Sequence, residues 1–322
     1  MARIVISEFM DERAVASLGG RHEVVYDAAL VDDAARLARE AARCDALVVR
    51  NRTQVRGALL EALGGGGCRV IGRLGVGLDN IDVEGCAARG IEVIPATGAN
   101  AQAVAEYVVA AALLLLRGAF RSTAEVAAGR WPRTALSGGR EAGGKVLGLV
   151  GFGMIGQATA RLARGLGMQV VAFDAMQDED HPAYAELGVR AAGLDEVLAG
   201  SDVLSLHVPL VDATRGLLGA ERIAAMKPGA VLINTARGGV VDEAALAAAL
   251  RSGHLGGAAL DVFTEEPLPA AAHFDGCPNL LLTPHVAGLS AEANVRVSSM
   301  IAERVIAALS RPAAPPRAGS RA

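Results

Sequence analysis

The stretch "VLGLVGFGMIGQATARLARGLGMQVVAFD" (146–174) decides the fold. It holds G-x-G-x-x-G at Gly151, Gly153 and Gly156, a pattern that a chain with 39 glycines could produce by chance. Its surroundings narrow the reading. An apolar strand precedes the glycines, a helix opens within them, a second strand follows, and Asp174 closes that strand. Each part has a physical task in binding a dinucleotide. Gly151 permits a tight turn, Gly153 admits a pyrophosphate to the backbone, and Gly156 allows close helix–sheet packing. The helix start offers free N–H groups and the positive end of its dipole to phosphate. Asp174 can accept from adenosine ribose hydroxyls and would repel a 2′-phosphate. Ala175 and Met176 supply no arginine for one, so the pattern favours NAD over NADP. A glycine-rich turn that binds nothing is the competing reading.

Outward from that turn, short apolar runs alternate with helical patterns in both directions. Strands are expected at 3–7, 23–26, 46–50, 69–72 and 91–94, with helices at 11–18, 32–42, 55–63 and 83–89. A second series of strands follows at 145–151, 168–174, 202–208, 230–236, 256–263 and 279–285. Such alternation predicts parallel sheets covered on both faces: an α/β chain of two doubly wound units. Between them, 101–117 reads as a long helix, apolar nearly all round in its second half and therefore buried. Residues 118–144 read as irregular, 290–309 as a last helix, and 310–322 as a disordered Pro/Ala/Arg tail.

Composition excludes several functions. With a net charge of −4 no basic field exists to hold nucleic acid or an anionic membrane. Only two lysines occur, Lys145 and Lys227, and arginine carries the rest of the positive charge. The longest apolar run, 107–116, is bracketed by Glu106 and Arg117 and is too short to span a bilayer. The start of the chain lacks a secretory h-region. Cys44, Cys68, Cys86 and Cys277 show neither CxxC spacing nor clustered histidines, so no metal site and no disulfide framework are expected. Free thiols in a reducing cytoplasm fit that pattern.

Ligands of open α/β sheets gather beyond the carboxyl ends of strands. There the sequence places Arg237 ("LINTARGG"), Glu265 and Glu266 ("ALDVFTEEP") and His285 ("LLTPH"). Taken singly, each has an ordinary explanation: a surface arginine, a solvated acidic turn, a loop histidine. Together, after a dinucleotide turn, they suit hydride transfer at a carbon beside a carboxylate. The arginine would orient that carboxylate and polarise the carbonyl. The histidine would take or return the hydroxyl proton, and an acid behind it would fix its tautomer.

With these motifs the chain resembles the D-isomer-specific 2-hydroxyacid dehydrogenase family, in its phosphoglycerate-dehydrogenase-like branch. The resemblance runs to about residue 309. It is carried by "GRLGVGLDNID" (72–82), "GLVGFGMIG" (148–156), "HVPLVDATRGLL" (207–218), "MKPGAVLINTARGGVVDEAAL" (226–246), "ALDVFTEEP" (259–267) and "LLTPHVAG" (281–288). It implies Arg237, Glu266 and His285 as catalytic residues. Arg50, Val76 and Gly77 are implied to contact substrate, the last two through backbone N–H groups. Ile155, Asp174, Pro209, Thr214, Ala236, Asp261 and Gly288 are implied to line the NAD site with the three glycines. A Rossmann NAD domain (100–287) would be inserted into a flavodoxin-like substrate domain (1–99 and 288–309), the 101–117 helix would cross between them, and the enzyme would be a homodimer.

The substrate is less determined. The segments 48–56, 71–77 and 129–140 are rich in arginine and are expected on the substrate side, which suggests a second anionic group. "VISEFMDE", "VRNRTQVR" and "RWPRTAL" resemble sulfolactate dehydrogenases within the branch. A three-carbon 2-hydroxy acid such as sulfolactate or 3-phosphoglycerate is therefore expected, and a hydroxypyruvate or glyoxylate reductase is the alternative. An NAD-responsive binding protein is the alternative of another class, against which the full Arg–Glu–His set argues. Formate-oxidising relatives carry an amide beside the histidine, where this chain has Glu266.

Overall fold

The computed structural model describes residues 1–311, so all but the first two residues of the expected tail lie outside the described residues. The described residues divide into two compact units, 1–100 with 290–311, and 101–289.

The first unit holds a five-stranded parallel sheet. Its elements are β1 (Arg3–Ile6), α1 (Glu12–Gly19), β2 (Glu23–Tyr26), α2 (Ala34–Ala41), β3 (Ala46–Val49), α3 (Gly57–Gly66), β4 (Val70–Arg73), α4 (Val83–Ala88) and β5 (Glu92–Pro95). The strand order β2-β1-β3-β4-β5 is that of a flavodoxin-like sheet. Strand periodicity sends alternate side chains to opposite faces. Ile4, Ile6 and Val48 join one buried layer, and Val5, Leu47 and Val49 join the other. Asp11, Asp33 and Asp82 cap α1, α2 and α4 through their carboxylates, which fixes where those helices start.

The second unit begins with α5 (Ala101–Arg117) and the short α6 (Thr123–Ala127). The sheet then builds through β6 (Val146–Val150), α7 (Met154–Gly165), β7 (Gln169–Phe173), α8 (Pro182–Leu187), β8 (Arg190–Ala191), α9 (Leu194–Gly200) and β9 (Val203–Leu206). It continues through α10 (Ala220–Ala224), β10 (Val231–Asn234), α11 (Glu243–Arg251), β11 (Gly257–Leu260) and β12 (Leu280–Leu282). The order β12-β11-β10-β9-β6-β7-β8, all parallel, is the doubly wound Rossmann arrangement, and its direction reverses between β6 and β9. Both expected sheets are thus present. Ser290 then caps α12 (Ala291–Ser310) from its side-chain oxygen, and this helix packs in the first unit against α1 and β4.

Two expectations about 101–144 change. The helix 101–117 belongs wholly to the second unit, and its second half is not buried all round: Leu113 and Leu114 are exposed. Arg140, the last arginine of the segment 129–140, is not on the substrate side of its unit. Arg140 donates its backbone N–H to Leu116 O, and its guanidinium lies beside Gly229 and Gly256, which precede β10 and β11. That is the amino end of the sheet, opposite the strand ends that carry Arg237 and His285. The physical reason is the end of α5: Gly139 packs so closely on the Arg117 carbonyl that a Cβ there would stand 2.5 Å from it.

Candidate active site

The glycine turn is built by backbone crowding. Gly151 has φ +98°, and a Cβ there would stand 2.5 Å from the His207 carbonyl, in the loop after β9. A Cβ on Gly156 would stand 2.4 Å from the Gly151 carbonyl, so only glycine lets the first turn of α7 close over β6. Gly153 instead faces open space, with nothing within 4 Å of an added Cβ. This is the geometry that lets a pyrophosphate reach the N–H groups at the start of α7.

Asp174 lies just past β7, where Oδ2 accepts from Phe152 N at 2.6 Å and Oδ1 from Met176 N at 2.8 Å. The side-chain amides of Gln157 and Gln177 both donate to the Phe152 carbonyl, at 3.0 and 3.1 Å. The Phe152 backbone is therefore held at both its N–H and its carbonyl, and its ring stacks on Tyr184 with centroids 4.5 Å apart. Beyond the strand ends, two buried polar atoms lack a protein partner, Gln177 Oε1 and Thr235 Oγ1. An open glycine cradle, an acid at the ribose position and orphaned polar atoms fit NAD. Ile155 occupies the first turn of α7, half-buried, and Thr214 Oγ1 donates to the Pro209 carbonyl at 2.6 Å, tightening the loop after β9. Gly288 falls in the second unit, two residues before the Ser290 cap.

Arg237 is held by its turn. Asn234, fully buried at the end of β10, accepts from Ala236 N at 3.0 Å and donates to the Arg237 carbonyl at 3.0 Å. Arg237 Nη1 donates to the Ala236 carbonyl at 2.6 Å. Gly238 then presses on the loop after β11: a Cβ would stand 1.7 Å from the Phe263 oxygen. That approach brings the Arg237 and Glu266 loops together. Asn234 was not among the residues singled out from sequence, although "INTARG" contains it; a buried amide at a strand end was the available signal.

His285 Nδ1 and Glu266 Oε2 are 2.7 Å apart, and Glu266 Oε1 accepts from Phe263 N at 3.0 Å. Burial alone would raise the Glu266 carboxyl. The His285 hydrogen bond, the Phe263 N–H and the charges of His285 and Arg237 outweigh it and hold the group below its ordinary value. Glu266 is thus an acceptor, His285 donates Nδ1–H to it, and Nε2 is left for a substrate. Glu265, the neighbouring acid, is exposed.

The backbone of His285 is in the left-handed region, φ +56°, where a non-glycine residue costs roughly 1–3 kcal/mol. Asp261 over-determines that loop. Its carbonyl accepts from His285 N at 2.8 Å. Its carboxylate, 1% exposed, accepts from Thr283 Oγ1 at 2.6 Å and from Val286 N and Ala287 N, both at 2.8 Å. Tyr107 of α5 reaches Thr283 Oγ1 at 2.5 Å. Asp261, expected at the cofactor, is enclosed, and its visible work is to shape the loop that presents His285.

In the first unit, Val76 and Gly77 follow β4 in an accessible loop. Arg50 follows β3, its Nη2 donating to Asn294 Oδ1 at 2.6 Å. Among the described residues no group of histidines, cysteines and acids could hold a metal ion, and no single helix is long and apolar enough to cross a membrane.

Residues 109–287 match the family model for the NAD-binding domain of D-isomer specific 2-hydroxyacid dehydrogenases. The (S)-sulfolactate dehydrogenase of Chromohalobacter salexigens is 52% identical over 309 residues, covering 96% of this chain and 99% of that one. A hydroxypyruvate reductase of Thermotoga maritima is 38% identical, covering 94% and 97%. A D-3-phosphoglycerate dehydrogenase of Mycobacterium leprae is also 38% identical, but this chain spans only 56% of its length. Among solved structures, the TT0316 protein of Thermus thermophilus superposes with a TM-score of 0.85 at 34% identity, covering 95% and 96% of the two chains.

Proposed function

This chain belongs to the D-isomer specific 2-hydroxyacid dehydrogenases, NAD-dependent oxidoreductases that act on a CH–OH group, and we propose that its substrate is a three-carbon 2-hydroxy acid with a second anionic group, sulfolactate first. The observation that carries the chemistry is the His285 Nδ1–Glu266 bond, which leaves Nε2 as the proton carrier. NAD, when bound, supplies the hydride acceptor, and NADH the donor. Arg237 orients the substrate carboxylate and polarises the reacting carbonyl. In oxidation His285 Nε2 takes the hydroxyl proton; in reduction it returns one to the carbonyl oxygen. Glu266 stabilises the imidazolium that appears between those steps. Gly151, Gly153, Ile155, Gly156, Asp174, Pro209, Thr214, Ala236, Asp261 and Gly288 make the NAD site, Asp261 through the loop it holds.

The second anion is assigned to Arg50, because among the described residues its guanidinium meets no carboxylate within ion-pair distance. Val76 and Gly77 offer backbone N–H groups to the substrate carboxylate. The relative named for sulfolactate supports this substrate; the relative named for hydroxypyruvate keeps a hydroxypyruvate or glyoxylate reductase as the second reading. An NADH-linked panel of sulfopyruvate, phosphohydroxypyruvate, hydroxypyruvate and glyoxylate decides. The proposal expects kcat/KM for sulfopyruvate or phosphohydroxypyruvate to exceed that for glyoxylate by more than tenfold; equal values refute it. By this reading residues 1–99 and 288–309 serve the substrate and 100–287 the cofactor.

We further assign the protein to the cytoplasm as a homodimer. Three of its free cysteines are buried, in keeping with a reducing compartment. Leu113, Leu114, Phe120 and Trp131, all within 113–131, are exposed, Trp131 to 77%, and a second copy would cover them. A monomer by sedimentation at micromolar concentration refutes the dimer.

A further inference from the structure

Strands β1 and β3 pair in register, Ile6 beside Val48, so the residues that follow them run side by side. Glu8 therefore lies next to the loop 50–53. It is 4% exposed, an unusual place for a carboxylate that makes no ion pair among the described residues. Its partners explain it. Oε1 accepts from Arg50 N at 2.8 Å and from Thr53 N at 3.0 Å, and Oε2 accepts from Arg52 N at 3.1 Å. One side chain satisfies three N–H groups of a single loop.

Other buried groups complete the frame. Asn80 Nδ2 donates to the carbonyls of Arg50 and Thr53, at 3.3 and 2.7 Å. Ser7 Oγ and Thr53 Oγ1 are 2.9 Å apart. None of these hydrogen bonds involves the Arg50 guanidinium. That group donates to Asn294 Oδ1 at 2.6 Å and to the Phe9 carbonyl at 3.4 Å, and sits over the Phe9 ring, 5.7 Å from its centroid. Burial lowers the tendency of this guanidinium to hold its proton, and the nearby Glu8 charge opposes that. The Glu8 carboxylate is spent on the backbone, so the Arg50 side chain is fixed in place with its positive charge still open to an anion.

We propose that Glu8 is a positioning residue that sets substrate specificity: its carboxylate fixes the 50–53 loop so that Arg50 is presented to the second anionic group of the substrate. The inference rests on the assignment of Arg50 to that group. An acceptor-only side chain is required. A glutamine would turn an N–H₂ toward a loop N–H, leaving a buried donor unpaired and the loop free to shift.

The test compares Glu8→Gln, Glu8→Asp and Arg50→Gln with the natural protein, using sulfopyruvate as the substrate with a second anion and glyoxylate as the one without. Glu8→Gln is expected to raise KM for sulfopyruvate about tenfold, a loss of roughly 1.4 kcal/mol of binding. KM for glyoxylate, KM for NADH and kcat should stay within about twofold, a split that general destabilisation would not give. Glu8→Asp keeps the charge but reaches fewer of the three N–H groups and should fall between; it carries the test if Glu8→Gln does not fold. An unchanged KM in both Glu8 variants, or equal losses on both substrates, overturns the inference while Arg50→Gln still raises KM for sulfopyruvate. If Arg50→Gln leaves that KM unchanged, the Arg50 assignment fails, and the role of Glu8 with it.

Discussion

Replacing Asp261 by asparagine changes almost no volume and removes one charge. The side chain is enclosed, and its two oxygens take three hydrogen bonds, from Thr283, Val286 and Ala287. An asparagine can keep the two at one oxygen. Its N–H₂ must then face the Ala287 N–H, and one buried donor loses its partner, at about 1–3 kcal/mol. The two surviving bonds lose their ionic character as well. The expected destabilisation is about 3 kcal/mol, read as a drop in Tm of roughly 6–12 °C. The larger effect is on turnover. The loop holds His285 at a positive φ, and the Val286 and Ala287 N–H groups anchor it from the far side. A displacement of about 1 Å at a reacting group lowers rate by about 10²-fold. With NADH saturating and the protein held well below its Tm, kcat should therefore fall about 10²-fold. A variant with kcat within twofold of the natural protein would show that the carboxylate does not position His285.

Gly238→Ala should lower kcat/KM at least 10²-fold, checked by steady-state kinetics, because its Cβ would meet the Phe263 carbonyl 1.7 Å away and force the Arg237 and Glu266 loops apart. His207 contributes to the loss of stability at low pH: burial lowers it from 6.5 to about 4. Above pH 6.5 it is neutral folded and unfolded, so nothing is lost. Below pH 6.5 the unfolded chain takes the proton first, and stability falls by up to about 3 kcal/mol by pH 4. Denaturant titrations at pH 7, 5.5 and 4.5 should show that loss in the natural protein and a shallower one in His207→Gln.

Much of this was legible in the sequence because it is written in local pattern. Alternating apolar runs gave both sheets, and helical spacing put the first four helix starts within a residue or two of Glu12, Ala34, Gly57 and Val83. The two-residue strand β8 left no periodicity to detect. Arg237, Glu266 and His285 were recognisable as polar residues at successive strand ends. What sequence could not supply was contact across long separations: Glu8 with the 50–53 loop and Tyr107 with Thr283. Arg140 misled because composition reports charge without direction. Its placement depends on how Gly139 packs against the end of α5, and no residue pattern in that segment records it.

The central claim, that His285 moves the proton while other residues hold the cofactor, is tested most directly by His285→Ala in paired measurements of turnover and NADH binding. The account predicts that reduction of sulfopyruvate falls by at least 10³-fold while Kd for NADH stays within about twofold. Retained turnover on every substrate of the panel, or a loss of NADH affinity that matches the loss of rate, would contradict it.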